Sequence, residues 1–170
     1  MRLTLHTDYG LRVLMALALA PEQQQTIAEL AGRYRVSRHH LMKVAMNLAK
    51  HGFVEATRGR TGGLRLARPA KAITLGEVVR ALEDNLQLVE CFDRATNTCA
   101  VSPACRLKGV LHEALAAFLA RLDDCTLAAL VQEPSAARHL RLLLGGIPIV
   151  VQPQRLSKSR RAAPAQSRRV

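Results

Sequence analysis

Hydrophobic residues in the first part of the chain recur every three or four positions, which is the spacing of one helical face. The first such stretch has Thr7 as its predicted N-cap and ends before Pro21. A second begins at Thr26, with Glu29 in the capping-box position, and ends near residues 32–34. A third is capped by Ser37 and continues to about residue 50. The pattern predicts three helices, the last two joined by a short turn.

Two capped helices joined by a short turn are typical of a helix-turn-helix, whose second helix lies in the DNA major groove. The side chains near the beginning of that helix would then face the base edges. We interpret five residues there as candidate DNA contacts: Ser37, Arg38, His39, His40 and Lys43. A solvated helix face has the same composition, so this stretch taken alone leaves DNA binding undecided.

The hydrophobic period changes from helical to alternating after Gly52. Residues 53–57 and 64–67 alternate like two strands, and a glycine-rich run joins them. This predicts the wing of a winged helix. Arg58 and Arg60 suit the narrow minor groove, and Gly62 and Gly63 allow the backbone to approach another surface closely. The run lacks the GxxxxGK[ST] pattern of a nucleotide-binding loop.

The second half returns to helical spacing. Thr74 caps a helix with Glu77 three residues on, a second predicted capping box. Pro103 suits the beginning of a long helix that ends at about residue 124, and short helices are predicted at 126–131 and 137–144. The long helix has an apolar stripe formed by Leu111, Leu115, Phe118 and Leu122. Such a stripe predicts pairing with a second copy, although packing within the chain would also satisfy it.

Three cysteines interrupt the helical pattern in a polar stretch: Cys91, Cys99 and Cys105. Their spacing lacks the C-x2-C pairs of common structural zinc sites, and clustered thiols in a chain expected to be intracellular more often bind metal than form disulfides. Soft thiolates in an open loop suit an iron-sulfur cluster, which normally needs a fourth ligand. Buried free thiols are the structural alternative. Cys125, one long helix away, is interpreted as a packing residue.

Composition and charge limit the fold classes and functions that the chain can have. The hydrophobic content is 49%, the aromatic content is 3%, and there is no Trp, which favours a helical core. The net charge of +12 favours a polyanionic partner. No acid–base pair, phosphate loop or nucleophile arrangement predicts an enzyme. The apolar run at 13–20 is short and follows charged residues, so we expect a cytoplasmic chain without a signal peptide or membrane span.

The predicted fold class is mainly α: a winged helix-turn-helix with a two-stranded wing and a long C-terminal dimerisation helix. The expected organisation is a DNA-binding domain at 1–85, a cysteine loop at 86–106, a dimerisation region at 103–131 and a short helix and linker at 132–151. Residues 152–170 combine Pro, Ser, Ala and Gln with several arginines, which predicts a disordered basic tail that adds salt-sensitive DNA affinity.

Several motifs in order resemble the winged-helix iron-sulfur repressors. They are the N-terminal Leu-His-Thr-Asp-Tyr-Gly-Leu-Arg, the helix-turn-helix, the Arg-Gly-Arg-Thr-Gly-Gly-Leu-Arg-Leu-Ala wing and the cysteine loop, and they cover about residues 1–131. Lys108 stands where the cluster-assembly members of that family have a histidine, so the chain looks closer to the nitric-oxide-sensing members. The resemblance implies a homodimeric repressor on palindromic DNA that nitric oxide releases.

The resemblance also implies that Asp8 of the partner subunit is the fourth cluster ligand, with His6 and His112 as the other candidates. The cluster could be [4Fe-4S] or [2Fe-2S]. Three other functions stay open from the residues: a regulator that senses cluster supply or redox state, a metal-free regulator that senses thiol oxidation, and an iron-sulfur electron-transfer or carrier protein with an incidental basic head.

Overall fold

Six α-helices and a two-stranded antiparallel sheet make up the part of the chain that the structure describes. A computed structural model describes residues 2–57, 59 and 62–144 of the 170. The elements are α1 Leu5–Leu19, α2 Ile27–Tyr34, α3 Arg38–Lys50, β1 Val54–Thr57, β2 Gly63–Leu66, α4 Leu75–Leu82, α5 Arg106–Asp123 and α6 Pro134–Leu143. This mainly helical order confirms the predicted fold class.

Helix α1 begins earlier than its sequence pattern predicted. The Thr4 side chain accepts a hydrogen bond from the Thr7 backbone N–H at 3.2 Å, so Thr4 is the N-cap. Thr7 is fully buried inside the first turn, and the prediction that it caps the helix is wrong. Both threonines stand before the same apolar stripe, and an N-cap preference alone does not distinguish them.

The helix-turn-helix forms as predicted. The Thr26 backbone N–H donates to the Glu29 carboxylate at 2.7 Å, and the Glu29 N–H donates to the Thr26 hydroxyl at 3.2 Å, which completes the capping box. Arg35 ends α2 in the left-handed region with φ of 53°. The Val36 N–H then donates to the Ala31 carbonyl at 3.0 Å, and this tight turn directs the chain into α3.

The wing is a short hairpin held against the helices. Val54 pairs with Leu66 and Thr57 with Gly63 in antiparallel register, so both predicted strands are confirmed to within about a residue. Gln25, just before α2, exchanges backbone hydrogen bonds with Leu64 at 3.0 and 2.9 Å. The wing is therefore attached to the helix-turn-helix through the loop before α2.

One hydrophobic core lies between α1, α3, α4 and the wing. Its fully buried large side chains include Phe53, Leu14, Leu17, Leu30, Leu41, Leu48 and Ile73. Leu127 belongs to the same core and is 0% exposed. The chain therefore returns after α5 to complete the core of the N-terminal head.

That return replaces a helix expected at residues 126–131. The backbone N–H groups of Leu127 and Ala128 donate to the carbonyls of Ile73 at 2.8 Å and Ala70 at 3.2 Å, instead of to carbonyls four residues back. The segment is a series of turns, and the predicted helix is wrong. Tertiary hydrogen bonds satisfy the groups that a helix would have paired.

The helices around the cysteine loop also differ in detail from their sequence patterns. The Thr74 hydroxyl accepts from the Glu77 N–H at 3.2 Å, but the Glu77 carboxylate contacts Arg68, so the second predicted capping box is wrong. Pro103 lies in a 3₁₀ turn, Ser102–Ala104, and the long helix begins at Arg106. Helix α6 begins at Pro134, three residues before its predicted start.

Helix α6 packs back onto the end of α1. Ala137 is buried against Leu19 and Ala20, and the Arg141 guanidinium donates to the Leu19 carbonyl at 2.9 and 3.2 Å. This satisfies a carbonyl at the C-terminal end of α1, where a cation also complements the helix dipole. The predicted basic tail, 152–170, lies outside the described residues. None of the described helices is both long and apolar enough to cross a membrane.

Candidate nucleic-acid interface and cysteine loop

Helix α3 has one buried and one exposed face. Leu41, Val44 and Leu48 are buried in the core, whereas Arg38, His39 and Lys43 are exposed. The helix contains no Asp or Glu. Its outward face therefore carries positive and no negative charge around the side chains predicted to contact DNA, which suits a polyanionic groove.

Ser37 precedes α3 and has a free hydroxyl. Its carbonyl accepts the first helical hydrogen bond, from the Leu41 N–H at 3.1 Å, but its side chain makes no capping bond. The residue is exposed. A hydroxyl at a helix N-terminus that is not used for capping is available to a phosphate oxygen.

His40 faces α1 rather than the outside. Its half-buried ring meets the Tyr9 ring edge-on, with centroids 5.2 Å apart and an interplanar angle of 83°. Beside it, the Asn47 amide nitrogen lies 3.1 Å from the His6 ring nitrogen Nε2. These contacts join the first turns of α1 to the recognition helix, so His40 lies at the flank of the exposed face.

The wing places its glycines close to the loop before α2. A Cβ on Gly63 would lie 3.1 Å from both the Gln24 Cβ and the Gln25 carbonyl oxygen, so the absence of a side chain allows this approach. Gly62 is half-buried at the end of the same run. Arg58 and Arg60, the predicted minor-groove residues, lie outside the described residues.

The cysteine loop contains two 3₁₀ turns and no strand or α-helix. Cys91 is buried in the turn Glu90–Phe92, whereas Cys99 and Cys105 are half-buried, and all three thiols are free. Asp93 accepts from the Ala95 N–H at 2.9 Å and the Thr96 hydroxyl at 3.1 Å. The hydrogen bond from the Ala95 N–H lowers the pKa of Asp93 most, and the bond from the Thr96 hydroxyl lowers it further. Both bonds favour the charged form of the carboxyl group.

The folded single chain does not gather the predicted ligands into one centre. Among residues 2–57, 59 and 62–144, no three His, Cys, Asp or Glu side chains lie close enough together to hold one metal ion. Asp8 lies in the first turn of α1, where its carboxylate forms an ion pair with Arg12 at 2.6 Å. His112 on α5 packs against the Phe92 ring at 5.6 Å, next to Cys91 in the chain.

Sequence reasoning missed the ion pair that joins the head to the long helix. The Arg80 guanidinium, on α4, donates two hydrogen bonds of 2.6 Å to the Asp123 carboxylate, at the end of α5. The Arg80 side chain lowers the pKa of Asp123 by this bonding. The two residues are 43 positions apart, and no local pattern in the sequence predicts their contact.

The fold is that of a winged-helix DNA-binding regulator. It has a helix-turn-helix, a hairpin wing attached beside it, and a helix α3 whose outward face has no carboxylate. A family model described as "Rrf2: Iron-dependent Transcriptional regulator" matches residues 3–133. The chain belongs to the Rrf2 family of transcriptional regulators.

Named relatives agree with this family. The chain is 52% identical over 141 residues to the HTH-type transcriptional regulator NsrR of Shouchella clausii, covering 82% of this chain and 95% of that protein. It is 50% identical over 133 residues to NsrR of Bacillus subtilis, covering 78% of this chain and 91% of that protein. These relatives are transcriptional regulators, which confirms that the chain is not an enzyme and that it resembles NsrR.

Solved structures show the same fold. CymR, the global cysteine regulator of B. subtilis, matches with a TM-score of 0.64 at 25% identity, covering 78% of this chain and 97% of that one. IscR of T. potens matches with a TM-score of 0.63 at 25% identity, covering 78% of this chain and 88% of that one. The regulator fold therefore extends over most of the described residues.

Proposed function

We propose that the chain is a cytoplasmic, homodimeric repressor that binds palindromic operator DNA and senses nitric oxide through an iron-sulfur cluster. The observation that carries this proposal is the cysteine loop. Three free thiols occupy one stretch without α-helix or strand, directly before a long surface helix, in a chain about half identical to regulators named NsrR.

The donor chemistry of the loop fits such a cluster. Cys91, Cys99 and Cys105 provide three soft ligands, and none of them is consumed by a disulfide. Turns and Asx-type hydrogen bonds hold the backbone between the cysteines, and no β-sheet hydrogen bonds do. Bringing the thiols together therefore breaks no α-helix or strand. The three cysteines would hold the cluster. When bound, it supplies iron that nitric oxide can ligate in competition with the protein ligands.

The fourth ligand in this proposal is Asp8 of the partner subunit. A carboxylate at the exposed start of α1 can exchange its ion pair with Arg12 at little cost, because surface pairs contribute little. We expect Asp8→Cys to slow the reaction with nitric oxide, since a thiolate is a softer ligand for iron than a carboxylate. Stopped-flow absorbance of the anaerobic protein measures this rate, and unchanged kinetics would count against Asp8.

The first turns of α1 can pass this constraint to the DNA-binding face. His6 contacts Asn47 and Tyr9 contacts His40, so α1 and the recognition helix move together. In a dimer, residues of the cysteine loop that hold α1 of the other subunit would fix the separation of the two α3 helices. Loss of that contact would let the two DNA-binding heads leave the separation that a palindromic DNA site requires.

The dimer surface in this proposal is α5. None of its 18 residues is buried, and Leu107 and Val110 are 63% and 60% exposed. The residues of the apolar stripe are half-buried, and α5 lies against α4. The exposed Leu107 and Val110 lie at the beginning of α5, next to the cysteine loop. A second copy would cover apolar surface that a single chain leaves in water.

The decisive experiment is purification without oxygen from iron-replete cells, followed by an absorption spectrum, iron and sulfide assays, and a DNA mobility shift with and without nitric oxide. We expect a coloured protein that retards operator DNA until nitric oxide is added. Separate Cys91→Ser, Cys99→Ser and Cys105→Ser variants should lose iron.

Cys125→Ser is the matched control, because an 18-residue helix places Cys125 about 27 Å from the loop. Colourless protein, or operator binding that persists unchanged after the metal is stripped, would contradict the proposal. Reversible redox cycling without any DNA footprint would instead support an electron-transfer protein. Thiol-dependent DNA binding without iron would support a metal-free redox regulator.

A further inference from the structure

Two methionines interrupt the basic outward face of α3. Met42 is 52% exposed and Met46 is 71% exposed, so both are exposed large hydrophobic residues. They are four residues apart, so their side chains lie one helical turn apart on the same face, with Cβ atoms about 5–6 Å from each other.

Neither methionine belongs to the core. The buried side of α3 is formed by Leu41, Val44 and Leu48. At about 100° per residue, Met46 projects almost opposite to that side, in nearly the same direction as His39. A thioether in this position contacts water in the free protein and gains free energy when a partner surface covers it.

The surroundings of the pair indicate the chemistry of that partner. Arg38, Lys43 and Lys50 are exposed on the same helix, and no carboxylate accompanies them. A protein partner would have to match this cationic rim around a very small apolar centre. Duplex DNA presents phosphates at the edges of the major groove and, at each A·T pair, the C5-methyl group of thymine on its floor.

We propose that Met42 and Met46 are specificity-determining residues that contact thymine C5-methyl groups in the operator. The proposal rests on the insertion of α3 into the major groove. Base pairs rise about 3.4 Å per step, so side chains about 5–6 Å apart reach methyl groups one or two steps from each other. The residues contribute apolar contact only, and the neighbouring cations bind the phosphates.

The test replaces the methyl group and the methionine separately. The full-length protein, purified without oxygen, selects its preferred site from a random duplex library. Each thymine of that site is then replaced by deoxyuridine, which lacks only the C5-methyl, and Kd is measured at fixed salt. We expect about a fourfold loss of affinity at one or two thymines in each half-site, the effect of about one buried methyl group.

The methionine variants complete a double-mutant cycle. Met46→Ala or Met42→Ala should bind thymine and deoxyuridine sites equally at the position that it contacts, whereas Met46→Leu should retain the preference for thymine. Because methionine is uncharged, the salt dependence of binding should stay as in the unsubstituted protein. Leu142→Ala, which truncates a residue that is 68% exposed on α6, is the matched control and should leave the preference intact.

Two results would overturn the inference while leaving DNA binding in place. One is a selected half-site in which no thymine-to-deoxyuridine change alters Kd. The other is a methionine variant that loses affinity equally for both sites while its thermal unfolding is unchanged. A protein that selects no sequence would refute the DNA-binding proposal itself, and with it this inference.

Discussion

Single side chains join elements that are distant in sequence, and Tyr34 is an example. Its hydroxyl, on α2, donates to the Arg12 carbonyl of α1 at 2.7 Å. Burial raises the pKa of Tyr34 to about 12, more than the nearby Arg12 and Arg33 lower it. The folded protein therefore favours the neutral phenol.

This shift predicts a loss of stability in alkali. Between the ordinary tyrosine pKa of about 10 and the folded value, the unfolded chain releases the Tyr34 proton and the folded chain keeps it. The contribution of Tyr34 to stability is thus complete below the unfolded pKa and is lost as pH rises through the folded one. Denaturant unfolding between pH 9 and 12 measures this slope. Tyr34→Phe should flatten it, and an unaltered slope would contradict the assignment.

The helix-turn-helix has two N-cap residues, Thr26 and Ser37, whose hydroxyl groups form different contacts. Thr26 forms a complete capping box, whereas Ser37 makes no capping bond. We expect Thr26→Ala to lower the free energy of unfolding by about 1 kcal/mol and Ser37→Ala to change it by less than about 0.5 kcal/mol. Ser37→Ala should instead weaken operator binding. Equal losses of stability in the two variants would show that the free hydroxyl has another structural partner.

At the scale of elements, the C-terminal segment is part of the head. Leu127 is 0% exposed in the core, and its N–H donates to the Ile73 carbonyl at 2.8 Å. A domain boundary at residue 85, as the sequence pattern suggested, therefore separates segments that share one core. The position of this return was not predictable from the sequence, because a run of Leu, Ala and Val satisfies a helix and a buried turn equally well.

Removing the Leu127 side chain should destabilise the whole head. We expect Leu127→Ala to cost about 2–5 kcal/mol, since it leaves a cavity among well-packed side chains. Leu142→Ala removes the same atoms from a residue that is 68% exposed and should cost less than about 0.5 kcal/mol. Chemical denaturation followed by circular dichroism measures both. Comparable values would place Leu127 outside the folded core.

At the scale of the whole molecule, the exposed side of α5 is expected to hold two copies together. Val110→Glu places a charge on that side and should shift the protein from dimer to monomer in sedimentation velocity, with weaker binding to a two-site operator. Ala116→Glu introduces the same charge at an exposed position about 120° around the helix and is the control. A dimer that survives Val110→Glu but not Ala116→Glu would move the interface to the other face.

Local chemistry determined most of the elements of this protein before its fold was known. Three features depend on residues a few positions apart: the Thr26 capping box, the turn before α3 and the alternation of the wing. Short-range sterics and hydrogen bonds of this kind can be predicted from a sequence. The order of those elements also predicted a winged helix-turn-helix that binds DNA. The three cysteines were identified by residue type and spacing alone.

Tertiary structure decided what depends on contacts between distant segments. It selected Thr4 over Thr7 as the cap of α1, turned His40 toward Tyr9, joined Arg80 to Asp123 and brought Leu127 back into the head. Each outcome depends on which surface happens to lie opposite, and burial and pairing energies across a fold have no signature in the local pattern.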